Sequence, residues 1–144
     1  MPLLLTKEDV VRVLNMRDCI DVVGKAFAEL ASGTAVLPLR IGIAPPDGVS
    51  LYMPAYLKQM GALACKIVTV YKNNPTRHNL PTIIGKVLLQ DPATGEVTCI
   101  MDGGYLTAVR TGAAELPWRN RAASPGGLRS RWPSACGQSP RWPA

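Results

Sequence analysis

The sequence predicts an α+β fold, with a mixed, largely antiparallel sheet and flanking helices. Three observations carry this. Two helical stripes open the chain, then five or so extended runs follow before another helix begins. The turn Asp91-Pro92-Ala93-Thr94-Gly95 joins the apolar runs 87–89 and 97–101 as a hairpin, with Pro fixing φ and Gly free to take φ > 0. No Gly-x-Gly-x-x-Gly occurs anywhere, so the fingerprint of a dinucleotide-binding βαβ unit is missing.

In chain order, Leu3-Leu4-Leu5 is a short strand. Thr6 is the N-cap of a first helix, with Asp9 three residues on in a near capping box. Val10, Val11, Val13 and Leu14 give that helix an apolar face. Residues 15–18 restart the chain, and Ile20, Val23, Phe27 and Leu30 recur at spacings of three and four. Ala26, Ala28 and Ala31 favour helix, and Ser32-Gly33 stops it. Residues 38–43 are extended, and Pro45-Pro46-Asp47-Gly48 is a tight turn. Strands follow at 49–56 and 61–71, then a polar loop at 73–79, then the hairpin. Asp102-Gly103-Gly104 breaks the last strand, with Asp102 as N-cap of a helix carrying Leu106, Val109 and Arg110. Arg110 falls in the first two turns, near the positive helix end, where a cation gains nothing from the dipole. That placement points to a task such as holding an anion.

A chain of 144 residues, 47% hydrophobic, suits one ordinary domain with a core. No apolar run approaches the ~20 residues of a membrane span. The start, Met1-Pro2-Leu3-Leu4-Leu5-Thr6-Lys7, lacks the basic leader of a signal peptide, so a cytoplasmic protein is expected. Cys19, Cys65, Cys99 and Cys136 form no Cys-x-x-Cys pair and His78 is the only histidine, so no metal site is expected. Cys19, Cys65 and Cys99 lie on apolar stretches and read as buried thiols. The net charge is +6, but residues 1–114 hold 11 Lys and Arg against nine Asp and Glu. The basic character belongs mostly to the end of the chain, so neither nucleic acid nor membrane is an expected partner of the folded part.

The stretch MDGGYLTAVRTGAA, following a strand–turn–strand with Asp-Pro-x-x-Gly, resembles the ornithine cyclodeaminase / mu-crystallin family. That family includes archaeal-type alanine dehydrogenases and ketimine reductases. Residues 3–114 follow the pattern. The resemblance implies hydride chemistry on an α-amino acid or imine with NAD or NADP, either as a lyase that returns the hydride or with net redox. It implies a small amino-acid-like substrate and a homodimer paired through this domain. By the same resemblance Arg40 and Lys66 bind substrate, and Thr82 and Arg110 contact the cofactor. The family's catalytic Asp has no matching position here, so no catalytic residue is assigned. Its Rossmann domain would begin just beyond Ala114 and is expected to be absent here. These residues alone are therefore expected neither to bind NAD(P) nor to turn over.

The residues themselves leave alternatives open. Arg40 also fits a surface charge at a strand edge, Lys66 a strand lysine reaching solvent, and Thr82 an ordinary strand threonine. A lysine within an apolar strand is nonetheless costly unless its charge finds a partner, and arginine presents a planar fork to a carboxylate. The alternative function is a non-catalytic small-ligand-binding or dimerisation module.

Residues 115–144 depart from the pattern. They hold five Pro, five Arg and all three Trp, with no Ile, Val, Met, Tyr or Phe. No helical or strand period appears, and Pro117 is expected to interrupt the helix. The segment reads as a disordered tail, with a frameshift or misassembled gene end near Ala114 as its expected origin. A basic aromatic arm binding nucleic acid or membrane is the other reading.

Overall fold

The computed structural model describes residues 1–122. Its elements are β1 (Leu3–Leu5), α1 (Lys7–Val13), α2 (Met16–Ala31), β2 (Ala35–Val36), β3 (Ile41–Ile43), β4 (Val49–Leu57), β5 (Ala62–Val70), α3 (Asn74–Arg77), β6 (Ile83–Gln90), β7 (Val97–Asp102) and α4 (Gly104–Ala122). One seven-stranded sheet runs β1-β7-β6-β5-β4-β2, with β3 also on β4. Only β1 pairs in parallel, with β7; the other ladders are antiparallel, so the fold is the mixed α+β sheet that the sequence predicts.

Local chemistry sets the elements. Thr6 and Asp9 complete the capping box of α1: the Thr6 hydroxyl accepts from the Asp9 N–H at 3.3 Å, and the Asp9 carboxylate accepts from the Thr6 N–H at 3.0 Å. Asn15 caps α2 by accepting from the Asp18 N–H at 3.0 Å. Pro54 lies inside β4, where a proline removes a ladder donor. The register explains it: β3 pairs with residues 50–52 and β2 with residues 56–57, so that edge of β4 is open at 53–55.

Side-chain alternation divides the sheet. Ala55 and Leu57 of β4 meet α2, and Met53, Lys66 and Val87 share their face by register. Both α1 and α2 pack on α4, so these three helices cover this face. Tyr52, Tyr56, Ile67 and Leu88 point to the other side, which no described helix covers. The helical core is small: Cys19 of α2 with Val109 and Ala113 of α4, flanked by Leu14, Ile20, Val23 and Tyr105. Glu29, 3% exposed, ties α2 to the β4–β5 turn by accepting from the N–H groups of Gln59 at 2.8 Å and Met60 at 3.3 Å.

The structure corrects several boundaries. Residues 73–79, expected as a loop, contain the turn of helix Asn74–Arg77, with Pro75 in the first turn, where its missing N–H has no intrahelical partner to lose. Asn79 then reverses the chain in the left-handed region, φ 52°. The run at 87–89 is the end of the longer β6. Asp102 belongs to β7, and it caps from one position early by accepting from the Gly104 N–H at 3.0 Å. Helix α4 continues across Pro117 to Ala122. Proline forfeits one backbone bond, and the preceding turns are already held by Val109 and Ala113 against α2, so that single loss does not end the helix. The remaining tail, residues 123–144, lies outside the described residues.

The entry into α4 depends on glycine. The Gly103 N–H donates to the Gly85 carbonyl at 2.9 Å, and a Cβ on Gly103 would stand 2.9 Å from the Gly85 carbonyl carbon. A Cβ on Gly85 would meet nothing nearer than 3.5 Å. Gly103→Ala should therefore destabilise the chain by about 1–3 kcal/mol, as overpacking does, and Gly85→Ala by clearly less. Chemical denaturation of the two variants checks the order. Glu29→Ala should cost about 1–3 kcal/mol in the same assay, because two turn N–H groups lose their acceptor.

Candidate functional site

Lys66 stands at the centre of β5, directly opposite Met53 on β4 and Val87 on β6. Val87 is buried and Met53 half-buried, so the lysine stem runs through an apolar row on the helix-covered face. Burial pushes the Lys66 ammonium below the usual lysine range, and the positive charge of Arg110 pushes it in the same direction. The two cations therefore sit within electrostatic reach of each other. Arg110 arrives there because α4 starts against Gly85 and runs back across the sheet. Among the described residues, ion pairs link Arg12 with Asp9, Arg77 with Asp47 and Lys86 with Asp102; none reaches Lys66, Arg110 or Arg40. Two like charges that feel each other, with no ion pair to either among the described residues, suit an anion chemically. An ammonium supplies a compact charge and a guanidinium a planar fork that matches a carboxylate or phosphate.

Arg40 is exposed and lies one residue before β3. Ile41 pairs with Tyr52, so the next step of the ladder would bring Arg40 level with Met53, about 10 Å from Lys66 across two strand spacings. Thr82 sits apart. It precedes β6, its carbonyl accepts from the Tyr71 N–H at 2.9 Å, and it lies about 17 Å along the strand from Val87, the partner of Lys66. Lys66 and Arg110 thus feel each other's charge, Arg40 lies one residue outside the β3–β4 ladder, and Thr82 lies ahead of β6, away from Lys66.

Two features were not found from sequence. Met53 is a neighbour of Lys66 only through strand register, which no local pattern encodes. Lys86 and Asp102 pair at 3.1 Å across β6 and β7, on the face opposite Lys66. Burial would raise the Asp102 carboxyl, but the Lys86 ammonium and the Gly104 N–H outweigh it and hold the group below its ordinary value. An apolar groove of about 220 Å³ lies elsewhere, between α2 and β4, lined by residues such as Phe27, Leu30 and Leu57. It contains none of the three cations. Among the described residues no three His, Cys, Asp or Glu side chains converge as a metal site. No described helix is long and apolar enough to cross a membrane.

Known proteins share this arrangement of elements. The chain is 36% identical over 112 residues to an alanine dehydrogenase of Archaeoglobus fulgidus, covering 78% of this chain and 34% of that one. The Thermococcus litoralis Δ(1)-pyrroline-2-carboxylate reductase, solved with NADH and L-proline, superimposes with a TM-score of 0.73 at 43% identity, covering 78% of this chain and 35% of that one. An archaeal alanine dehydrogenase dimer with bound NAD gives a TM-score of 0.73 at 35% identity, over 78% of this chain and 34% of that one. The chain spans about a third of the length of these relatives. The family model for the ornithine cyclodeaminase/mu-crystallin family matches residues 1–115, and the chain belongs to that family.

Proposed function

We propose that this chain forms the carboxylate-holding side of an NAD(P)-dependent site acting on an α-amino acid or the corresponding imine. The observation that carries the reading is the charge coupling of part-buried Lys66 with Arg110, neither of which has an ion-pair partner among the described residues. Lys66 and Arg40 hold the substrate carboxylate and so fix where Cα lies, which is a positioning role. Arg110, with its planar fork, faces the cofactor; Thr82, set apart ahead of β6, would meet the cofactor at a different point. The residues fit such a group in one respect: a free guanidinium beside a desolvated ammonium suits an anionic ligand. A bound nicotinamide would supply the hydride acceptor or donor. Residues 1–144 contain no Gly-x-Gly-x-x-Gly, so by themselves they are expected to hold the carboxylate without turnover.

The second face supports a further part of the reading, pairing as a homodimer. Tyr52, Tyr56, Ile67 and Leu88 form a half-buried apolar surface that no described helix covers, and such surfaces mark interaction sites. A relative 35% identical is a dimer.

Calorimetric titration of the chain with L-proline tests the carboxylate reading. Lys66→Met should weaken binding by about 10-fold or more, the worth of a charge-assisted hydrogen bond. The same variant, without ligand, should melt no lower than the parent, because it removes a desolvated charge held near a like charge. Unchanged affinity in Lys66→Met overturns the reading.

The pH dependence has a definite sign. The Lys66 pKa is lower in the folded than in the unfolded chain, so between those two values the unfolded state binds more protons and stability rises with pH. Carboxylate affinity should instead fall as pH rises through the folded-state value, because the ammonium is lost. Lys66→Arg, which keeps its charge, should remove that fall.

A further inference from the structure

We propose that the Lys86–Asp102 pair, on the face of the sheet opposite Lys66, is a positioning device for Arg110: Asp102 ties the first turn of α4 to β6 and so sets how closely Arg110 approaches Lys66. The effect on ligand affinity rests on the reading of Lys66 and Arg110 as an anion-holding pair.

Two adjacent residues of β6 hold the junction between β7 and α4. The Gly85 carbonyl accepts from the Gly103 N–H at 2.9 Å, and the Lys86 ammonium donates to Asp102 Oδ2 at 3.1 Å. Asp102 Oδ1 accepts in turn from the N–H of Gly104, the first residue of α4, at 3.0 Å. The carboxylate thus links a strand ammonium to the helix. The Thr107 N–H closes the first turn on the Gly103 carbonyl at 3.0 Å. One hydrogen bond between two rigid elements is a pivot, and a second from a neighbouring residue fixes direction. Val109 and Ala113 hold α4 on Cys19 of α2, but apolar contact is non-directional and constrains tilt less. Arg110 stands about 9 Å along the helix axis from Gly104. A tilt of about 10° at the junction therefore moves it by about 1.5 Å. A misplacement of about 1 Å can cost ~100-fold at a reacting centre.

The direction of movement follows from charge. The positive charge of Arg110 acts on Lys66, whose strand partners Met53 and Val87 are neutral. The two cations repel, so a loosened α4 relaxes by carrying Arg110 away. The Lys86 side chain is 52% exposed and that of Asp102 21%. An ion pair so open to water adds little to overall stability. Its loss should be read in where Arg110 stands, not in melting.

Two measurements on the chain test this. NMR titration of the Lys66 side chain reports the approach of Arg110, and calorimetric titration with L-proline reports the site. Asp102→Ala should raise the Lys66 midpoint and weaken L-proline binding by about 10-fold or more. Losing the Asp102 charge would by itself lower that midpoint, so a rise reports movement of Arg110. Lys86→Met should also raise it, and Lys86→Arg, which keeps the pair, should match the parent in both measurements. In an Arg110→Met background, neither Asp102→Ala nor Lys86→Met should raise the midpoint further. An unchanged or lowered midpoint in folded Asp102→Ala overturns the proposal, and so does a rise that persists without Arg110. If Asp102→Ala does not fold, Lys86→Met in the two backgrounds decides by the same criteria. If Lys66→Met weakens L-proline binding and Asp102→Ala does not, the proposal fails while the carboxylate reading stands. If the midpoints move as stated and Lys66→Met leaves affinity unchanged, the positioning role stands and the carboxylate reading fails.

Discussion

The approach of Gly103 to Gly85 governs the geometry of this domain. A backbone hydrogen bond of 2.9 Å joins the two residues, and there is no room for a Cβ on Gly103. Helix α4 therefore starts against β6 instead of standing off by a side chain's thickness. Its return across the sheet then brings Val109 and Ala113 onto Cys19 of α2 and Arg110 into reach of Lys66. The same contact thus sets the helical core and the charge constellation.

That constellation runs against the economy of a core. A lysine in the middle of a central strand, opposite Met53 and Val87, loses hydration without gaining a counterion. A second cation nearby makes matters worse, and the small helical core leaves little to spare. Where charges are paired, the means are ordinary: Lys86 with Asp102, Arg77 with Asp47, and Asp9 within a capping box. What sets Lys66 apart is its burial together with the charge of Arg110, and perturbed groups of this kind cluster at functional sites.

Sequence made local features legible. Asp91-Pro92-Ala93-Thr94-Gly95 specifies its turn through proline φ, an Asx bond and a glycine at φ 76°. Thr6 and Asp9 specify the first helix through two reciprocal bonds. The mixed sheet followed from element order, though the parallel pairing of β1 with β7 did not, because it joins residues almost a hundred positions apart. The course of α4 through Pro117 is not legible for a similar reason: proline's penalty is local, and the tertiary hold of Ala113 is not. At the site, the helix position of Arg110 and the strand position of Lys66 suggested an anion. Their coupling depends on the course of α4, and the place of Met53 opposite Lys66 depends on strand register, neither of which one chain's periodicity encodes.

The account's central claim is that Lys66 and Arg110 are held together as an unneutralised pair. A double-mutant cycle on unfolding free energy, with Lys66→Met, Arg110→Met and the double variant in ligand-free buffer at low salt, tests it most directly. The account predicts that each single change relieves the same repulsion, so the double variant gains less than the sum by about 0.5 kcal/mol or more. Additivity within about 0.3 kcal/mol would contradict it, because the two charges would then not feel each other in the folded chain.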